Sequence, residues 1–181
     1  MKILKTKFED LLIYQKDTFK DSRGYFRELY LQKHFKNKFP FDVMSYSKKN
    51  VLRGLHLQTT KSQAKLITVL NGEIYDVCVD CRTNSKTFGK YFSIKLSADE
   101  NKSILIPSGF AHGFCSLASN TILHYKCTNY RDQKSEIGII WNDKNLKIKW
   151  PIDKPIISKK DKINLKFKDF IDSKKFMNLK W

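Results

Sequence analysis

The chain has 181 residues, 41% hydrophobic and 13% aromatic, with 35 Lys and Arg against 18 Asp and Glu for a formal net charge of +17. That length and apolar content support one well-filled core, read as a single domain over residues 1–181, and no apolar run reaches the ~20 residues of a membrane-spanning helix. The lysines are scattered along the whole chain without a clustered stripe, so the charge argues against nucleic acid as a partner and favours a small anionic substrate such as a nucleotide or phosphate ester.

The start, MKILKTKF, carries a charge every few residues, so no secretory signal is expected and a cytoplasmic location is. LKTKF and LLIYQ read as strands. Asp21-Ser22-Arg23-Gly24 is turn chemistry, YFRELYL follows as a strand or short helix, and residues 33–41 read as a helical turn ended by Pro40. Short strands then recur at regular spacing: VMSYS, VLRGLHLQ, AKLITVL, EIYDVCVD, KYFSIKL, SILIPSG, HGFCSLA, TILHYKC and EIGIIW. Many short strands with Gly, Asn, Asp or Ser between them predict an all-β sandwich or barrel. After Trp150-Pro151 the chain turns lysine-rich. Phe167, Phe170 and Ile171 have helical spacing, so residues 158–181 form a tail or short helix packed on the barrel. Four scattered cysteines (Cys78, Cys81, Cys115, Cys127) lack a second CxxC pair and read as free thiols.

Two stretches carry chemistry. Val51 to Gly72 places Arg53, His56 and Lys65 in an otherwise apolar strand pattern, where burying them without a purpose costs several kcal/mol, order of magnitude. Strict alternation puts Arg53 and His56 on opposite faces unless Gly54 bends the strand. Asn71-Gly72 is the strongest short hairpin signal, predicting that EIYDVCVD returns antiparallel to KLITVL. In the second stretch, Pro107, Gly109 and His112 form PxGxxH, similar to the second motif of the cupin superfamily. The place of the first cupin motif reads His56-Leu57-Gln58, with one His. That set is short of the three or four ligands a zinc, iron or copper site needs, so no metal is expected.

In order, DSRGYFRE, VLRGLHLQ, QAKLITVLNGEIYDVCVDCR, TFG, ILIPSGFAHGF, YKCTNY, IIWND and IKWP resemble the signatures of the dTDP-4-dehydrorhamnose 3,5-epimerases over most of residues 17–161. The resemblance implies a cupin-type double-stranded β-helix (jelly roll) with short peripheral helices. It also implies a homodimer acting on a nucleotide-diphosphate 4-keto sugar with no cofactor. His56 matches the family's base, Asp161 the carboxylate that orients it, and Lys65 the lysine facing the enolate oxygen. Arg53 and His112 match positions that meet the diphosphate. Arg23 and Glu28 match residues at the nucleotide end, supplied by the partner subunit, and Phe26 is placed to stack on the base. Each of three has a plainer alternative: Arg23 capping a turn, Glu28 pairing with a lysine, His112 a hydrogen-bonded core residue. His34 and His124 match nothing functional.

Two departures stand out. The family's proton donor is the second tyrosine of a pair. Here Tyr130 keeps the first place and Arg131 stands in the donor's, where arginine cannot act as an acid at neutral pH. Tyr130 is the candidate heir to the donor's role, with Arg131 lining the substrate site. Upstream, Phe41-Asp42-Val43-Met44-Ser45 keeps Ser45 but lacks the family's Gln and Asn, so the sugar pocket is expected to be reshaped, with GDP or CDP and a heptose in view. The expected activity is inversion of C3, or of C3 and C5, of a nucleotide-linked 4-keto sugar for surface polysaccharides. The alternatives are a 3,4-keto isomerase and a binding protein whose catalysis has decayed.

Overall fold

The computed structural model describes residues 1–177, 179 and 181. Its strands are β1 (Lys2–Lys5), β2 (Leu12–Gln15), β3 (Phe19–Asp21), β4 (Gly24–Phe26), β5 (Phe41–Ser47), β6 (Leu52–Gln58) and β7 (Lys65–Asn71). They continue with β8 (Glu73–Asp80), β9 (Tyr91–Ser97), β10 (Lys102–Ile106), β11 (Phe110–Ser116), β12 (Thr121–Cys127) and β13 (Glu136–Gly138). Three short helices close the chain: α1 (Lys159–Lys162), α2 (Phe167–Ile171) and α3 (Lys174–Met177). The β-rich reading holds, down to the helix carrying Phe167, Phe170 and Ile171.

The strands form two facing sheets, a six-stranded one ordered β1-β2-β10-β7-β12-β5 and a five-stranded one ordered β13-β6-β11-β8-β9. Period-two alternation explains how both faces of the second sheet are buried. On β8, Ile74 and Cys78 point inward to meet Ile67, Val69, Ile104 and Leu123 of the opposite sheet. Val77 and Val79 point outward and are covered, with Leu55, Leu57 and Ala111, by Phe170 and Phe176 of the closing helices. This is the two-sheet arrangement that the repeated short strands implied and the jelly roll that the family resemblance implied.

The Asn71-Gly72 hairpin is corrected. β7 pairs with β10 and β12, while β8 pairs with β11 and β9, so the turn carries the chain from one sheet to the other. Gly72, at φ +82°, fits against Thr121 where an added Cβ would lie 2.6 Å from its hydroxyl oxygen. The dipeptide reports a tight turn, and the sheet partners waiting on either side decide where the strands go. Pro40 does not end a helix. The only helical turn nearby is a 3-10 turn over Gln32–His34, and YFRELYL is strand only over its first two residues, after which it is irregular.

The turn from β8 to β9 is held by one buried carboxylate. Asp80 accepts a two-pronged bond from Arg82 at 3.0 and 2.9 Å, and hydroxyl bonds from Ser85 and Thr87 at 2.6 Å each. All four cysteines are buried and free. No helix among the described residues is long and apolar enough to cross a membrane.

Candidate active site

At one open end of the two sheets lies a cavity of about 580 Å³, and its walls gather most of the sequence-predicted residues. β6 contributes Arg53, His56 and Gln58; β7 contributes Lys65; β11 contributes His112; β12 contributes Tyr125 and Cys127. Arg131 and Glu136 line it from the chain around β13, and Lys160 and Asp161 from α1.

Arg53 and His56 share this cavity because β6 is bulged at Gly54. On β11, Phe114 pairs with Arg53 and His112 pairs with His56, so one strand has an extra residue between the two pairs. Gly54 sits at φ +130°, and its peptide to Leu55 is cis. A Cβ on Gly54 would lie 2.5 Å from the Gly113 Cα, so two glycines allow β6 and β11 to meet there. Leu55 and Leu57 keep the outward face while Arg53 is turned in beside His56.

His56 and Asp161 touch. The imidazole Nε2 lies 2.6 Å from Asp161 Oδ1, across 105 residues of sequence. Local structure explains the meeting. Backbone bonds link Leu52 N–H to the Ile156 carbonyl (2.9 Å) and Ile156 N–H to the Asn50 carbonyl (2.8 Å), laying the C-terminal segment along β6. Ser158 then caps α1 by accepting the Asp161 N–H at 3.0 Å, which fixes the carboxylate over the ring. Burial alone would push the Asp161 carboxyl up, but its bond to His56, the His56 charge and the Gly54 amide outweigh that and hold it below its ordinary value. A carboxylate that stays charged keeps a proton on Nε2 and leaves Nδ1 as the basic nitrogen.

Lys65 enters from the opposite sheet. Burial strips water from its ammonium and lowers its pKa, an effect only partly offset by Cys127, Glu136, Cys78 and Asp76. Among the described residues no carboxylate lies within ion-pair distance of it. Arg53 likewise bonds only neutral oxygens, Ser47 Oγ at 3.1 Å and the Tyr46 carbonyl at 2.9 Å. Two cations without anionic partners favour an anionic ligand.

His112 is 5% exposed and its Nε2 lies 2.8 Å from Asp76 Oδ2. It is therefore both a hydrogen-bonded buried histidine and part of the cavity wall. Arg131 lines the cavity with its Nε 3.2 Å from Glu136, which also pairs with Lys160. Gln58 positions that loop, donating to the Lys61 and Tyr130 carbonyls and accepting the Asp132 N–H at 2.8 Å.

Five predicted residues do not line the cavity. Tyr130 is 66% exposed and does not line the cavity, though its ring rests on Phe41, which does. Arg23 folds back on Asp21 at 2.7 Å, the turn-capping alternative, while Phe26 is exposed on the β3–β4 ribbon. Glu28 lines a separate small cleft with Lys16 and Tyr30. In a single chain these three do not reach the cavity. Ser45 stands behind its wall and bonds the Tyr125 hydroxyl at 3.0 Å. Sequence reasoning missed Tyr125, Glu136, Lys160 and Asp76. The alternation in TILHYKC carried a signal for Tyr125, since it shares a face with Leu123 and Cys127. Among the described residues no three His, Cys, Asp or Glu side chains are grouped to hold a metal ion.

The chain was compared with known proteins. The sequence profile of the family described as dTDP-4-dehydrorhamnose 3,5-epimerase matches residues 5–169. The epimerase of that name from Shigella flexneri is 43% identical over 176 residues, 93% of this chain and 97% of its own. The Bacillus anthracis epimerase, solved with TDP and pyrophosphate bound, superposes with a TM-score of 0.87 at 43% identity, covering 90% of this chain and 97% of that one. A Legionella pneumophila epimerase in complex with dTDP-4-keto-L-rhamnose matches with a TM-score of 0.87 at 38% identity, covering 91% of each chain. With a matched profile over nearly the whole chain and the same fold, the protein belongs to the dTDP-4-dehydrorhamnose 3,5-epimerase family and is an isomerase-class enzyme acting on nucleotide sugars.

Proposed function

We propose that the enzyme inverts the carbon next to the ketone of a nucleotide-diphosphate 4-keto sugar, with C3 the favoured centre, by removing a proton and returning one from the other face. The observation that carries this reading is the His56–Asp161 bond of 2.6 Å opening on a cavity that also holds an unpaired Lys65. A ketone acidifies the adjacent C–H bond. His56, its proton held on Nε2 by Asp161, takes that hydrogen on Nδ1, and the C–H electrons move into an enolate. Lys65 pairs with the enolate oxygen, a contact worth a few kcal/mol in a desolvated site, order of magnitude. Arg53 and His112 are assigned to the diphosphate, for which a guanidinium offers a two-pronged fit.

The relatives' names and bound ligands support a dTDP-linked 6-deoxy sugar as the first substrate to test. Val43 on the cavity wall favours a sugar pocket that is less polar on that side, so GDP- and CDP-linked sugars and heptoses belong in the same panel. We place the step in the supply of deoxysugars for surface polysaccharides. We further propose a homodimer, in which the β3–β4 ribbon with Arg23, Phe26 and the nearby Glu28 completes the nucleotide end of the neighbouring cavity. The exposed aromatic pair Phe19 and Phe26, with ring centroids 6.4 Å apart, supports this.

The test is proton NMR of the purified enzyme with dTDP-, GDP- and CDP-linked 4-keto sugars. Inversion at C3 with the carbonyl still at C4 is expected. A carbonyl moved to C3, or no change in any sugar of the panel, would contradict the reading.

A further inference from the structure

A second cavity, of about 640 Å³, lies on the outside of the six-stranded sheet. Among the described residues it shares no lining residue with the catalytic cavity. Its floor is the outer face of β2 and β10, where Leu12 pairs with Leu105 and Tyr14 lies two residues further along β2. The segment after the 3-10 turn packs on that floor and brings Phe35 and Phe39 to it. These rings are already in contact: Tyr14 and Phe35 have centroids 4.9 Å apart, and Phe39 meets Phe35 edge-on at 5.5 Å. Arg82 and Trp181 join the wall beside Gly109, each within 3.2 Å of where a Cβ would stand there. A preformed space of this volume with aromatic walls is of the kind that holds a small molecule.

Two polar groups on this wall are buried and incompletely used. Tyr14 is 4% exposed, and among the described residues its hydroxyl has no hydrogen-bond partner. Arg82 is 8% exposed. Its Nε and Nη2 hold Asp80 at 3.0 and 2.9 Å, Nη2 also reaches the Glu9 carbonyl at 3.3 Å, and the Phe110 ring lies 4.7 Å from the guanidinium carbon. Nη1 has no partner among the described residues. Of the described side chains only Asn101 has an oxygen both sealed and unpaired, so Tyr14 Oη and Arg82 Nη1 both open on accessible space. The cavity is the space that both residues line. Its charges are balanced. Asp80 neutralises Arg82, and exposed Lys36 and Asp10 offset one another at the rim. The catalytic cavity, with Lys65 and Arg53 unmatched, pulls on anions; this one does not.

We infer that this outer cavity is a second ligand site, separate from the catalytic one, for a neutral planar ring with a carbonyl oxygen on its edge. The aromatic side chains cover the faces of the ring. Tyr14 O–H and Arg82 Nη1–H donate to the carbonyl oxygen. The wall then discriminates in two directions. A ring of the same size carrying a carboxylate gives up its hydration and finds no cation left over to pair with. A plain hydrocarbon ring keeps the apolar contact but leaves both donors unpaired. Burial raises the Tyr14 phenol above its ordinary value, so it remains a donor at neutral pH. The site stands apart from the epimerase reading, and the failure of either leaves the other untouched.

The experiment is a ligand-observed NMR titration of the full chain with uracil, benzoate and toluene. It is run on wild type, Tyr14→Phe and Ser108→Trp, with a thermal melt to confirm that each variant is folded. Uracil is expected to bind wild type at least about ten-fold more tightly than benzoate or toluene. Tyr14→Phe removes one donor and should weaken uracil by about 2–12-fold while leaving toluene unchanged. Ser108 lines the cavity from the turn before Gly109, so the indole of Ser108→Trp should fill the space and abolish uracil binding. Epimerase turnover in Tyr14→Phe should stay near wild type, which separates this site from the catalytic cavity. No saturable uracil binding to wild type, benzoate or toluene binding as tightly as uracil, or unchanged uracil affinity in folded Tyr14→Phe or Ser108→Trp would each overturn the assignment.

Discussion

The chemistry rests on single contacts, and these were unequally visible beforehand. His56, Lys65 and Arg53 drew attention as polar residues in an apolar strand pattern, because such burial is costly without a purpose. Asp161 could not be reached that way. It lies 105 residues from His56 in a lysine-rich segment, and only the resemblance of the surrounding motifs pointed to it. Asp76 and Glu136 went unnoticed because a carboxylate in a strand looks the same whether it faces water or a histidine. Replacing Asp161 by Asn should leave the fold intact and lower kcat by about 10²–10⁴-fold, since the ring loses the partner that fixes its proton; steady-state kinetics beside a thermal melt checks this. Asp80 tests buried charge away from the site. Burial raises its carboxyl, yet the bonds from Arg82, Ser85 and Thr87 bring it net below its ordinary value. Asp80→Asn should cost about 3 kcal/mol at pH 7 by orphaning the buried Arg82. A carboxyl lowered in the folded state stabilises fully above the unfolded value, about 3.9. The gap between wild type and variant should therefore hold above about pH 5 and close as pH falls through the folded pKa. Denaturant titrations from pH 7 to 3 measure that gap.

At the level of elements, period-two patterning found nearly every strand, because strand burial is set locally by alternation. Pairing is set by distant partners, which is why Asn71-Gly72 suggested a hairpin where the chain crosses between sheets. The bulge at Gly54 was legible only as a condition: alternation separated Arg53 from His56, and a glycine stood where a bend would reunite them. Gly54→Ala tests the bend. Its Cβ would meet Gly113 Cα at 2.5 Å, at a φ of +130° that L-residues rarely adopt. The variant should lose at least ten-fold in activity and several degrees in melting temperature, with the loss of activity exceeding that of a surface variant of equal stability. The closing helices matter for packing. Phe170 is fully buried between α2 and the outer face of the five-stranded sheet, and Phe170→Ala should cost about 3–5 kcal/mol, read as a lower denaturation midpoint.

For the molecule as a whole, the single chain leaves a two-stranded ribbon in water with Phe19, Tyr25 and Phe26 at 60%, 59% and 66% exposure. Such a ribbon is marginal alone and is stabilised by packing on another surface. If it completes a neighbour's site, Phe26→Asp should shift the protein from dimer to monomer in analytical ultracentrifugation and raise KM more than it lowers kcat. The net charge of +17, spread rather than striped, gives the surface a general pull on anions, while the cavity's unpaired Lys65 and Arg53 give it direction. In the proposed reaction these features serve one event, the removal of hydrogen from carbon beside a ketone by His56. The most direct measurement is the rate of deuterium uptake from D2O into a 4-keto nucleotide sugar by the wild type and by His56→Asn. Uptake at the carbon next to the carbonyl in the wild type, falling by about 10³-fold or more in the variant, is the predicted result. Undiminished uptake in a correctly folded His56→Asn enzyme would contradict the account.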